Sequence, residues 1–246
     1  MVPSSTVRYN RVLLKISGEA LAGERKQGLD KSVIEDICSE VGNIVKQNVQ
    51  VAIVVGGGNF FRGARADNLA MDRASADSVG MLATVMNSIA LQQALVSMGV
   101  QARVQTAIPM SPIAEPYVRE RALNHLENNR VVVFAAGTGS PFFTTDTAAS
   151  LRAIEIGADL LLKATQVDGV YDRDPNKYEG ARRYDKVSYD EVLSLRLNVM
   201  DATAVALCRE HRVPLRIFNL RDSGCLQRIV MGDNNEGTLV HSEIES

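Results

Sequence analysis

The chain has 246 residues, of which 46% are apolar and 23% charged, with three cysteines and a net charge of −2. These proportions exclude a disordered or fibrous protein, and a pI near 6.0 speaks against one built to grip a nucleic-acid backbone. No uninterrupted apolar run approaches the roughly 18 residues of a membrane span and the start lacks the apolar stretch of a secretion signal, so a cytoplasmic location is expected. One α/β domain can absorb this length; it is expected over residues 10–241, after an arm at 1–9 and before a tail at 242–246. Cys38, Cys208 and Cys225 form no CxxC pair and read as buried, reduced thiols. His125 and His211 fall near predicted helix ends, where the helix dipole favours them.

In chain order, the first β-rich run is RVLLKIS (11–17), which ends on Lys15 and passes into a turn with Ser17 and Gly18. AGERKQG (22–28) reads as a polar hairpin, and Asp30 is placed to cap a helix over 31–47. VQVAIVV (49–55) leads into GGGNFFRG, three glycines followed by Arg62. A helix over 74–97 comes next. Its stretch SVGMLATVMNSIALQQALVSM (78–98) spreads Met81, Leu82, Val85, Met86, Ile89, Leu91, Leu95 and Val96 over more than one face, so it is expected to be buried on two sides. The second side would meet either the core or another subunit.

A helix over 116–128 precedes RVVVFAA (130–136), which runs into the turn AAGTGSPFFTTD and a helix over 145–156. ADLLLKA (158–164) closes on KATQVDGVYDRDP, which holds Lys163, Asp168, Tyr171, Asp174 and Pro175. A helix over 200–211 and PLRIFN (214–219) complete the series. Several of the runs are apolar throughout, as strands buried on both faces are, and their alternation with helices predicts a three-layer α/β/α sandwich around a mainly parallel sheet.

Ligands of such sheets bind beyond the carboxyl ends of the strands, so the residues just after each run carry the chemistry. Glycine turns expose backbone N–H groups to an anion, and a helix N-terminus adds a favourable field. Two such turns, with Lys15, Arg62 and Lys163 on the same edge, point to two phosphate-bearing ligands or one very long one. Two like charges about 4 Å apart repel by about 4 kcal/mol at an effective dielectric near 20, so fixed cations are needed to bring phosphates together. Lysine, arginine and backbone amides suit phosphoryl transfer, where the protein mainly aligns groups and stabilises charge. The GxxxxGK[ST] loop, the GxGxxG turn and the protein-kinase motifs are absent from the sequence, and no Ser/His/Asp hydrolase set is visible.

Taken together, LLKISGEAL, GGGNFFRG, GMLATVMN, AGTGSPFFTTD, LKATQVDGVYDRDP, VMD and GTLV, in that order over residues 8 to 240, resemble the bacterial uridylate kinases (UMP kinases) of the amino acid kinase family. The resemblance implies transfer of the ATP γ-phosphoryl group to UMP with Mg2+, a homohexamer built from dimers, GTP activation and UTP inhibition, without nucleic acid or membrane as partner. It puts Lys15, Arg62 and Asp146 in catalysis, with Asp146 orienting the lysines. ATP would be held by Lys15, Ser17, Gly18, Gly58, Arg62, Lys163, Thr165, Tyr171 and Asp174. UMP would be held by Gly57, Asp77, Thr138, Gly139, Ser140, Phe143, Thr144 and Thr145. Ser140 departs from the asparagine that many members carry. Arg103 and Arg130 would meet an effector phosphate, and segment 22–28 corresponds to one linked to GTP response. The alternatives are a family member acting on a carboxylate or carbamate, and a nucleotide-binding relative without turnover.

Overall fold

The structure is a computed structural model that describes residues 7–61 and 70–242. In chain order its strands are β1 (Arg11–Ile16), β2 (Gln50–Val55), β3 (Ala102–Thr106), β4 (Glu115–Pro116), β5 (Val131–Ala135), β6 (Leu160–Thr165), β7 (Lys186–Ser188), β8 (Leu215–Asn219) and β9 (Thr238–His241). The helices are α1 (Lys31–Val45), α2 (Arg73–Ser97), α3 (Arg119–Glu127), α4 (Thr145–Ile156), α5 (Tyr189–Ser194), α6 (Ala202–Glu210) and α7 (Cys225–Val230). Among the described residues these strands form one sheet, in the order β4-β3-β5-β2-β1-β6-β8-β9-β7. All neighbours are parallel except β8 and β9.

Side-chain alternation divides the core in two. Val12, Leu14 and Ile16 of β1 face α1, α2 and α7, whereas Leu13 faces the side covered by α3, α4, α5 and α6. The same parity puts Leu160 and Leu162 with the first group and Leu161 with the second. Lys15 and Lys163, two residues beyond Leu13 and Leu161, therefore belong to the α4 side. They are also direct partners in the β1–β6 register, so two like charges sit on adjacent strands.

Each predicted run and helix is present, with ends shifted by three residues or fewer. Strands β3, β4, β7 and β9 and helices α5 and α7 have no counterpart in the sequence reading. Residues 22–28 do not form the expected hairpin: Gly18–Arg25 is a 3-10 segment, kinked where Gly23 takes a φ of 55°. Helix α2 is long and apolar enough by composition to cross a bilayer, a property that core helices of folded proteins share. In this fold it lies on the sheet against β3 and β5 and beside α1.

Candidate active site

Helix α4 begins where β5 ends, after the turn 136–144. Thr144 caps it, its hydroxyl oxygen accepting from the amides of Asp146 and Thr147. This first turn carries Asp146 onto the face that holds the paired lysines. The Lys163 ammonium donates to Asp146 Oδ2 at 2.7 Å and to the Val199 carbonyl at 2.7 Å. Lys15 Nζ lies 2.7 Å from Asp146 Oδ1. With side-chain exposures of 11% for Lys15, 14% for Asp146 and 16% for Lys163, water screens the triad little.

Burial by itself would raise the Asp146 carboxyl, but Lys15 and then Lys163 outweigh it and hold the group below the ordinary carboxylate range. Burial also depresses the Lys163 ammonium; Asp146 opposes that effect and Lys15 adds to it. The triad thus keeps two cations side by side on one shared carboxylate. Two ammonium groups with a single anion between them carry a net positive charge, which suits a phosphoryl group in transit.

Two cavities flank this point. The larger, about 650 Å3, is lined by Lys15, Ser17, Lys163 and Thr165, by Asp36 and Ile37 of α1, and by Leu220 and Arg221 among others. The smaller, about 330 Å3, is lined by Gly57, Gly58, Asp77, Thr84, Gly137, Thr138, Ser140, Phe143, Thr144 and Thr145 among others. Both volumes lie in the range of ligand sites. Between them the turn after β1 meets the turn after β2 backbone to backbone. A Cβ on Gly18 would stand 2.5 Å from the Gly56 carbonyl oxygen and 2.7 Å from the Gly58 nitrogen. One on Gly57 would stand 2.7 Å from the Gly80 carbonyl oxygen of α2. The glycines here serve close packing of two turns and a helix, in addition to leaving amides open to an anion.

Of the residues singled out from sequence, Lys15, Asp146 and Lys163 converge in the triad. Ser17 and Thr165 join Lys15 and Lys163 in the larger cavity. Gly18 sits in the ridge between the cavities, and Gly139 takes a φ of 80° in the turn behind the smaller one. Asp77 pairs with Arg73 at 2.8 Å and accepts from the Phe142 amide at 2.8 Å. Tyr171 and Asp174 lie on the loop after β6 and line neither cavity: the Tyr171 hydroxyl donates to Asp168 at 2.6 Å, and Asp174 pairs with Lys177. Arg103 donates to the Ala102 carbonyl, and Arg130 approaches His125 Nδ1 at 3.3 Å, both on the β3–β5 side away from the triad. His125 is held further by Glu115 at 2.9 Å, more than the expected dipole contact. Arg62 lies outside the described residues.

Sequence reasoning did not single out Asp201, Thr84 and Asn87. Asp201 caps α6 and accepts from the hydroxyls of Thr144, at 2.5 Å, and Thr147, at 3.0 Å. It thereby ties the start of α4 to the segment whose Val199 carbonyl holds Lys163. Its signal was the VMD tripeptide before a helix, an N-cap pattern. For Thr84 and Asn87 the signal was polar residues three apart in the mostly apolar stretch GMLATVMNSIAL of α2, where burial demands partners.

The chain resembles solved structures along nearly its whole length. A UMP kinase from Bacillus anthracis superposes with a TM-score of 0.93 at 41% identity, over 96% of this chain and 97% of that one. A UMP kinase from Ureaplasma parvum gives 0.90 at 36% identity, over 96% and 100%. A uridylate kinase from Archaeoglobus fulgidus gives 0.70 at 29% identity, over 93% and 99%. The family model described as "Amino acid kinase family" matches residues 10–219, and with the paired lysines and the twin turns in place the chain belongs to the amino acid kinase family.

Proposed function

We propose that the chain transfers the γ-phosphoryl group of ATP to UMP, giving ADP and UDP, by direct in-line displacement and as a step of pyrimidine nucleotide synthesis in the cytoplasm. The observation that carries this reading is the registered Lys15–Lys163 pair on Asp146, the lysines lining the larger cavity and Asp146 following Thr145 in the wall of the smaller. Likeness at 41% identity to a UMP kinase supports the choice of acceptor. The donor occupies the larger cavity, its phosphates meeting Lys15, Ser17, Gly18 and Gly58. Its adenosine extends past Thr165 towards the loop of Tyr171 and Asp174. The acceptor occupies the smaller cavity, with Thr138, Gly139, Ser140, Phe143, Thr144 and Thr145 around the base and Asp77 on the ribose. Gly57 holds its phosphate, and Arg62 is assigned to the donor phosphates and the transferring group.

An acceptor phosphate oxygen attacks the γ-phosphorus as the bond to the β-γ bridging oxygen breaks. Lys15 and Lys163 stabilise the charge on the transferring oxygens, and Asp146 orients both ammonium groups. Asp146 is the carboxylate that both lysines claim, so it is not free to chelate a metal. Mg2+ fits as an ion carried in on the phosphate oxygens of ATP, the usual mode for this cation, and when bound it offsets charge on those oxygens.

Lys15→Ala should lower kcat by orders of magnitude with little change in fold, since a charge specific to the transition state is lost. Steady-state ADP release with UMP, CMP, dUMP, acetylglutamate and carbamate as acceptors tests the reading, with turnover of UMP expected. Turnover of an acid or carbamate, or nucleotide binding without product, would overturn it. The exposed apolar face of α2 supports assembly from dimers into a homohexamer, and Arg103 and Arg130 are proposed to receive an effector phosphate, with GTP activating and UTP inhibiting. Unchanged kinetics on adding GTP would remove the activation.

A further inference from the structure

We propose that Thr84 and Asn87 are positioning residues for phosphoryl transfer, one turn of α2 fixing the two site turns relative to each other. The inference rests on the reading of the site given above. Thr84, Asn87 and Ser88 are buried at 3%, 0% and 0% exposure in a helix whose other buried residues, bar none, are alanine, valine or leucine. Polar groups so placed must be paired. Ser88 is satisfied within the helix, donating to the Thr84 carbonyl. The other two reach out of it, and each reaches a different turn.

Asn87 donates from Nδ2 to the Gly56 carbonyl at 2.7 Å and to Asn59 Oδ1 at 2.7 Å, and its Oδ1 accepts from Asn59 Nδ2 at 2.9 Å. Asn59 Nδ2 donates as well to the Gly28 carbonyl at 2.8 Å, and the Gly28 amide donates back to the Asn59 carbonyl at 3.1 Å. The turn after β2 is thus fastened to α2 on one side and to the segment before α1 on the other. Gly57, between these anchors, touches α2 with no room for a Cβ.

Thr84 fastens the other turn. Its hydroxyl donates to the Met81 carbonyl at 2.7 Å, which aims its oxygen at the Ala136 amide, 2.8 Å away. Ala136 has a φ of 60°, a left-handed conformation that alanine resists. Holding it there directs the chain into Gly137, Thr138 and Ser140 along the smaller cavity. Asn87 lines neither cavity, and Thr84, although it lines the smaller one, has its hydroxyl committed to the Met81 carbonyl and the Ala136 amide, so each acts through the backbone it holds.

The test is a kinetic split backed by amide exchange. Thr84→Val keeps shape and removes the acceptor, whereas Thr84→Ser keeps it. Thr84→Val should raise KM for UMP about tenfold, the loss expected of one buried hydrogen bond, with KM for ATP within about twofold. Thr84→Ser should restore it. Asn87→Asp, which loses the donors to Gly56 and Asn59, should lower kcat about tenfold or more. Unfolding midpoints show that the variants are folded. A folded Thr84→Val with wild-type KM values overturns the inference, as does a loss spread equally over both substrates and not rescued by serine. Exchange of the Ala136 amide, read without turnover, should quicken in Thr84→Val and not in Thr84→Ser; no change overturns the inference. If the unmodified chain fails to phosphorylate UMP, the functional reading falls, and the exchange result still decides whether Thr84 holds the turn.

Discussion

Replacing Asp146 by asparagine removes one charge and almost no volume from the triad. At 2.7 Å, each Asp146–lysine attraction is about 6 kcal/mol at an effective dielectric of 20, a gross figure that the burial of three charges largely offsets. Without the carboxylate, the two lysines face one another across strands about 4.8 Å apart and repel by about 3 kcal/mol at that dielectric. The repulsion is relieved by losing a proton from Lys163, which burial already depresses below the ordinary lysine value of 10.5. The alkaline limb of kcat should therefore move to lower pH in Asp146→Asn. If the 3 kcal/mol is felt in full, the limb should move by about two pH units, at about 1.36 kcal/mol per unit. The assay is ADP release at saturating ATP and UMP from about pH 6 to 10, with Lys163→Arg as the control that removes the limb because a guanidinium stays charged. An Asp146→Asn enzyme with its limb at or above the wild-type position would refute the electrostatic account.

The same group sets a stability window. Because the folded Asp146 carboxyl lies below its ordinary value of 3.8, its contribution is complete above that pH and is lost as pH falls through the folded value. Urea midpoints of wild type and Asp146→Asn should differ by a constant amount near neutrality and converge below pH 3.8; a constant gap throughout would contradict this. Gly57→Ala puts a methyl group 2.7 Å from the Gly80 carbonyl oxygen, so it should cost about 1–3 kcal/mol by thermal or urea unfolding. A neutral result would mean that the turn has slack. Leu82 and Met86 are 46% and 51% exposed on the outer face of α2. Met86→Lys should shift sedimentation towards a smaller species, an expectation that a monomeric wild type would dispose of.

How much was legible in the sequence depended on whether a residue acts through its own strand or through a neighbour. β1, β2, β5, β6 and β8 stood out because central parallel strands are apolar on both faces. β3 did not, since Arg103 and Gln105 interrupt ARVQT, and the partner that Gln105 donates to, Glu115, lies on a two-residue edge strand. β7 and β9 are three and four residues long, too short for alternation to register. In the site, Lys15 and Lys163 were visible as charges closing apolar runs, and Asp146 as a carboxylate in the first turn of a helix. That the lysines are partners in register needed the pairing of β1 with β6, which no local pattern encodes. Asp201, Thr84 and Asn87 stayed hidden for a related reason: each works through a backbone group distant in sequence.

The sheet also has a sequence of assembly written into its rim. Strand β9 sits between β8 and β7 yet follows both in the chain, so β7 has no sheet partner until β9 arrives. The Thr238 hydroxyl then receives the Val170 amide and donates to the Tyr184 carbonyl, fixing both ends of the excursion that carries Tyr171 and Asp174. On a ribosome, the earlier strands can gather while this excursion still lacks its anchor. A nascent chain stalled before residue 238 would therefore be a half-finished enzyme with an open β8 edge, and the moment at which that edge closes would coincide with the moment at which the loop after β6 is tied down.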